Sequence, residues 1–299
     1  MYPEYPYYGH KKETKDVPIA FPPQHQDRMP GFEYVMNPRP ISENPHYKGS
    51  DKLKGKVAIV TGGDSGIGRA ASYAFVKEGA KVVIVYLNEH RDAEETEQRI
   101  RELGGECLLI PADLTIETNS TLVVRKTLER FGKIDVLVNN HAVQYVKKSI
   151  LDISNEQLEH TFKTNVFSYF YLIKAVLPYL KAGSSVINTA SITAYNGFKE
   201  LIDYSSTKGA VVTLTRSLAL SLVEKKIRVN AIAPGSFWTP LITGSFSEKK
   251  VMKFGTDSPA KRAGQPFELA PAYVYLASDD SMYATGEVIH VNGGQMVTT

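Results

Sequence analysis

The stretch Thr61-Gly-Gly-Asp-Ser-Gly-Ile-Gly68 decides how this chain is read. It follows the short apolar run Val57-Ala-Ile-Val60, which suits a strand buried on both faces. A helical pattern opens at Gly66. Glycines at 62, 66 and 68, between strand and helix, permit a tight turn and close approach of the backbone to a pyrophosphate. The free N–H groups at the helix start then face the anion. The spacing is G-x-x-x-G-x-G, not the commoner G-x-G-x-x-G, and glycine turns also arise from geometry alone. The position between a strand and a helix is what favours dinucleotide binding.

Outward from this loop the pattern repeats. Strand-like apolar runs fall at 81–86, 107–110, 135–139, 185–188, 228–233 and 287–291. Helical patterns lie between them, near 66–78, 91–103, 117–131, 154–180, 203–224 and 267–277. Strict alternation predicts an α/β fold. The expected form is a Rossmann-type, doubly wound sheet of seven parallel strands with helices on both faces.

Before Ser50 the character changes. Pro18, Pro22, Pro23, Pro30, Pro38, Pro40 and Pro45 repeatedly block regular hydrogen bonding. Residues 1–50 read as an extended Pro/Tyr-rich arm, and 51–299 as one catalytic domain. The first 15 or so residues read as a floppy tail. For 30–50, a tail and an arm lying along a neighbouring subunit are equally compatible, with aromatics such as Phe21, Phe32 and Tyr34 as anchors.

Composition excludes other classes. The 299 residues are 42% hydrophobic and 22% charged, with a net charge of +3, which makes no case for a nucleic-acid partner. No apolar run approaches a membrane span, and the first residues lack a signal peptide's pattern. The lone Cys107, in an apolar stretch, reads as a buried structural thiol. No metal site and no membrane association are expected, and the cytoplasm is the default location.

Ligands of such sheets bind beyond the carboxyl ends of the strands. Asp113 and Leu114 follow the third strand, where they would meet an adenine. Asn139 and Asn140 end the fourth, Ser191 follows the fifth, and Pro234-Gly235 follows the sixth. Each alone is ordinary turn chemistry; together they suggest a site. Tyr204 and Lys208 lie four apart on a helix and share a face. A lysine ammonium beside a phenol favours the phenolate, lowering its pKa and fitting it for proton exchange with a substrate oxygen. Ser191 can donate to the same oxygen. The Tyr–Lys pair by itself is common on solvated helices and would not identify a site.

In combination these residues resemble the short-chain dehydrogenase/reductase family, in its single-domain branch. The matching motifs are Thr61 to Gly68, Asn139-Asn-His-Ala142, Asn165, Ser191, Tyr204 with Lys208, and Pro234-Gly235, in order over about residues 53–296. The glycine loop and the long arm look most like a bacterial subgroup of general-stress oxidoreductases. The resemblance implies Tyr204 as general acid/base and Lys208 as the group that lowers its pKa and holds the nicotinamide ribose. It implies Ser191 polarising the carbonyl and Asn165 holding a water in a proton relay. Gly62, Gly66, Ile67 and Gly68 would line the cofactor phosphates, with Asp64 and Ser65 in the same loop. Asn139 would lie along the ribose and nicotinamide, and Phe237 and Thr239 would meet the carboxamide. One departure is His141-Ala142 in place of Ala-Gly. His141 is expected to be a packed loop histidine, with a pocket role as the alternative.

Cofactor choice should be made near Tyr86-Leu-Asn88, which supplies neither the acid of NAD sites nor the arginine of NADP sites. Glu89 and Arg91 point opposite ways, and Asp64 tilts the reading toward NAD. The expected activity is NAD(P)-dependent interconversion of a small-molecule carbonyl and an alcohol; the alternative is a catalytically silent NAD(P)-binding sensor. Residues 141–147, 192–198 and 236–255 should line the substrate pocket, including Tyr145, Tyr195, Phe198, Trp238 and Leu241. The resemblance also implies a homotetramer. The helical stretch with Phe162, Val166, Phe167, Phe170, Tyr171 and Ile173 is apolar around much of its circumference, which supports a subunit contact. Removing residues 1–45 is expected to lower the melting temperature and leave the active site competent.

Overall fold

The computed structural model describes residue 11 and residues 16–297. The expected tail over the first 15 or so residues lies outside the described residues, Lys11 apart. Strand β1 (Val57–Thr61) leads to helix α1 (Gly66–Lys77) and β2 (Lys81–Tyr86). Then come α2 (His90–Glu102), β3 (Cys107–Pro111), α3 (Glu117–Phe131) and β4 (Val136–Asn139). After them run α4 (Asn155–Phe162), α5 (Ser168–Val176), β5 (Ser185–Thr189), α6 (Thr193–Asn196) and α7 (Ile202–Leu222). The chain continues through β6 (Arg228–Pro234), α8 (Pro240–Thr243), α9 (Glu248–Met252), α10 (Pro266–Ala277) and β7 (Val288–Val291).

The seven strands form one parallel sheet in the order β3-β2-β1-β4-β5-β6-β7. This is the predicted Rossmann-type sheet. Strand side chains alternate between its faces. Ile59, Val83, Val85 and Leu137 pack against α3, α5 and α7 through Val123, Leu172 and Val211. Ala58, Val60, Val82 and Ile84 pack oppositely, against Phe75 of α1, Ile100 of α2 and Leu269 of α10. Each fully buried side chain of this size contributes about 1.5–3 kcal/mol. With both faces covered, the strands have to be apolar throughout, which is why they read as continuous runs. Strand order reverses between β1 and β4, opening a crevice at their carboxyl ends.

Two elements differ from expectation. The helix expected over 154–180 is broken by a π-helical turn, Lys163–Phe167. Asn165 sits inside it and exchanges both of its amide functions with the backbone of Val143, drawing this turn toward the β4 loop. Such turns recur at functional sites. The arm, from 16 to 50, forms no helix or strand, and it lies on the body of its own chain. Phe21 and Met36 join Trp238, Ile242, Phe246 and Val251 in a small third core. Among the described residues, no helix is long and apolar enough to cross a membrane.

Candidate active site

A cavity of about 1240 Å³ opens at the carboxyl ends of the strands. Gly62, Asp64, Ser65, Gly66 and Ile67 of the glycine loop line it. So do Asp113 and Leu114 after β3, Asn140 and His141 after β4, and Ser191, Tyr204 and Lys208. Pro234, Gly235, Phe237 and Thr239 complete the wall after β6. Residues from five strand ends, far apart in sequence, thus share one cavity.

Tyr204 and Lys208 lie on α7 and are nearly fully buried. The Lys208 ammonium is 5.6 Å from the Tyr204 ring centroid and donates to the Thr189 carbonyl at 2.7 Å. Burial pushes the Tyr204 phenol up to about 12, and a side-chain hydrogen bond with Ser191 pulls the other way. Burial lowers Lys208 to about 7. The phenol thus moves up where the Tyr–Lys spacing suggested down: loss of hydration outweighs the Ser191 hydrogen bond. Ser191 sits between these groups and α6, its Oγ accepting from Thr193 N at 3.2 Å and Thr193 Oγ1 at 3.0 Å.

His141 does both things weighed for it. It lines the cavity, and both ring nitrogens are engaged, with Thr61 Oγ1 at 2.7 Å and Ser168 Oγ at 2.8 Å. Burial, then the charge of Lys208, lowers it to about 3, so it stays neutral.

The glycine loop is held from outside. Gly66 has φ +50° and a Cβ there would lie 3.2 Å from the Thr239 side chain. A Cβ on Gly68 would lie 2.0 Å from the Gly62 carbonyl, so α1 can approach the turn only through a glycine. Buried Arg69 donates to the Asp64 carbonyl, to the Asp92 carbonyl and to Glu33 Oε1. Glu33, from the arm, also accepts from Gly66 N at 2.6 Å. Asp92 returns the contact, accepting from Glu33 N at 2.7 Å and Tyr34 N at 2.9 Å. Burial, then the Glu89 charge, raises Asp64 to about 7.

Comparison with known proteins agrees with this geometry. Residues 62–296 match the family model described as enoyl-(acyl carrier protein) reductase. The chain is 62% identical over 278 residues to an uncharacterized oxidoreductase, YhxC, of Bacillus subtilis (strain 168), covering 93% of this chain and 97% of that one. The chain belongs to the short-chain dehydrogenase/reductase family. It is also 50% identical over 286 residues to an NADPH-dependent aldehyde reductase of Arabidopsis thaliana, covering 93% of this chain and 99% of that one. Among solved structures, 3-ketoacyl-(acyl-carrier-protein) reductase from Brucella melitensis complexed with NADH is similar with a TM-score of 0.75 and 32% identity. That match covers 82% of this chain and all of the other.

Within this short-chain dehydrogenase/reductase, several expected residues sit elsewhere. Asn139 does not line the cavity: its Nδ2 donates to Asn188 Oδ1 at 2.9 Å, and Asn140 reaches the cavity instead. Gly68 serves helix packing behind the loop. Asn165 is fully buried, its amide donors spent on Val143 O and Thr207 Oγ1 and its Oδ1 on Val143 N. That leaves no side-chain donor for a relay water. Trp238 is fully buried, stacked on Phe21 at 3.7 Å, and is not in the wall. Tyr195 packs on His290 and Tyr145 near His160, both outside the wall, whereas Phe198 and Leu241 do line it. The sequence reading missed the arm's share of the wall: Val17, Met29, Pro30 and Gly31. The available signal, Pro30-Gly31, marks a turn and says nothing about what the turn touches.

Proposed function

We propose that this oxidoreductase interconverts a carbonyl and an alcohol with a nicotinamide cofactor, using Tyr204 as general acid/base. The observation that carries the reading is the convergence of Ser191, Tyr204 and Lys208 in the wall of the cavity that the glycine loop also lines. The loop fits a dinucleotide: it is close-packed where a side chain would intrude, and it opens onto the start of α1. Gly62, Ser65 and Ile67 would hold the phosphates, with Gly66 lining their approach, Asp113 and Leu114 the adenine, Phe237 and Thr239 the carboxamide. When bound, such a cofactor supplies or accepts the hydride.

The chain's own groups handle the proton. Tyr204, held protonated at neutral pH, donates to the carbonyl oxygen in reduction and recovers the proton in oxidation. Ser191 hydrogen-bonds the same oxygen. Lys208, poised near 7, exchanges protons behind the tyrosine and binds the ribose hydroxyls. Asn165 positions the β4 loop and α7 through Val143 and Thr207.

Two buried carboxylates, Asp64 and Glu89, line the cavity, and the nearby Arg28 is taken by Asn88 and Glu89. That balance favours NAD over a cofactor with an added phosphate. The apolar wall of Phe198, Leu241, Phe246 and Phe254 suits a small or medium carbonyl compound in the cytoplasm. Phe167 and Phe170, about half exposed, and Leu220, 81% exposed, supply faces for a homotetramer. The test is a panel of aldehydes, ketones, sugars and alcohols assayed with NAD(H) and NADP(H) by nicotinamide absorbance. Turnover with at least one carbonyl–alcohol pair is expected. Firm cofactor binding without any turnover would mark a sensor instead.

A further inference from the structure

The arm crosses two parts of the site that no single strand or helix joins. At one end it ties down the segment after β6. Ala20 N donates to Met252 O, Gln26 N to Thr243 O, and Phe21 stacks on Trp238. At the other end it reaches the glycine loop. Arg28 donates to Asn88 Oδ1 at 2.7 Å and to Glu89 Oε1 at 2.8 Å, beyond β2. Five residues on, Glu33 is 1% exposed and bonds to Gly66 N and Arg69. Between these contacts Met29, Pro30 and Gly31 form part of the cavity wall.

We propose that arm residues 28–34 are a built part of the dinucleotide site, with Glu33 as the positioning residue of the glycine loop. The physical case rests on what Glu33 replaces. The first N–H groups of α1 have no intrahelical partner. Glu33 takes the Gly66 N–H, and its charge is matched by Arg69, which also grips the Asp64 carbonyl on the other side of the turn. The loop is thereby fixed at both its middle and its exit, leaving the next N–H groups for the phosphates. Burying this carboxylate with its partner is costly and is recovered through several hydrogen bonds, among them the Asp92 contacts to the backbone of Glu33 and Tyr34. Linkage then requires reciprocity: a docked arm favours the cofactor, and the cofactor favours a docked arm.

The inference rests on the reading of this cavity as a nicotinamide dinucleotide site, and the experiment separates the two. NADH and NADPH are titrated calorimetrically into the full-length protein, Glu33→Gln and Glu33→Ala. A carboxylate that merely sat near the phosphates would repel them, so removing it would tighten binding. A positioning carboxylate predicts the opposite: affinity falls in both variants, in Glu33→Ala by about tenfold or more, the scale of one charge-assisted hydrogen bond. Trp238 is the sole tryptophan, and its emission reports whether the far end of the arm remains docked. Unchanged emission with weakened binding assigns the effect to Glu33. Hydrogen exchange on the unaltered protein needs no variant: NADH should slow exchange at the Glu33 and Tyr34 amides. Equal or tighter binding in Glu33→Gln, or no added protection of those amides, overturns the inference while the function stands. Failure of the unaltered protein to bind either dinucleotide overturns the proposed function and the inference with it.

Discussion

Tyr204 and Lys208 are both buried, and burial acts on them in opposite directions because one is charged when it gains a proton and the other when it loses one. Tyr204→Phe removes only the proton donor. Turnover should fall by at least about 10² while cofactor affinity is retained. Near-normal turnover would remove Tyr204 from the mechanism. For Lys208 the sign follows from linkage. Below pH 7 both folded and unfolded chains carry its proton, and the fold bears the full cost of a buried ammonium. Between about 7 and the ordinary lysine value, the folded lysine is neutral and the unfolded one is not, so stability rises with pH. In Lys208→Met that contribution is absent. The melting temperature of the unaltered protein, relative to the variant, should therefore increase from pH 6 to 9. A difference independent of pH would show that Lys208 does not titrate there. The shared face of these two residues was legible in the sequence because spacing on a helix determines it. Their charge states were not legible, because they depend on how much water the rest of the fold removes.

At the scale of elements, the strand–loop–helix unit from β1 to α1 distinguishes two glycines that look alike in sequence. Gly66 faces the cavity at φ +50°, where the Thr239 side chain, 3.2 Å from an added Cβ, would have to give by a few tenths of an ångström to make room for a methyl group. Gly66→Ala should fold, with about 1–2 kcal/mol of left-handed strain, and lose cofactor affinity. Gly68 has no such room, since its Cβ would meet the Gly62 carbonyl at 2.0 Å. Gly68→Ala should lower the melting temperature far more than Gly66→Ala. Equal losses in calorimetric melting would show that the loop yields as a whole. The π-helical turn was invisible to periodicity, since one added residue barely disturbs the apolar pattern. Its cause is a tertiary bond: Asn165 to the Val143 backbone.

For the whole molecule, the arm and the exposed apolar faces carry the predictions. Deleting residues 1–45 should lower the melting temperature, shift Trp238 emission to the red and weaken cofactor binding. The last outcome revises the expectation of a competent site, because Met29, Pro30 and Gly31 are part of its wall. Unchanged melting and emission would mean that the arm contributes nothing to the body. The faces bearing Phe167, Phe170 and Leu220 predict a tetramer by light scattering at micromolar concentration, and a monomer would defeat that assembly.

The sequence by itself determined the alternation of strands and helices, the glycine loop and the shared helix face of Tyr204 and Lys208. These are properties of neighbours a few residues apart, where period and spacing control geometry. Only the tertiary structure decided which of two asparagines, Asn139 or Asn140, reaches the cavity, that Trp238 is covered by Phe21, and that Glu33 grips a loop 33 residues away. Contacts of that kind are made by segments without periodicity, and their partners are set by the shape of the folded body.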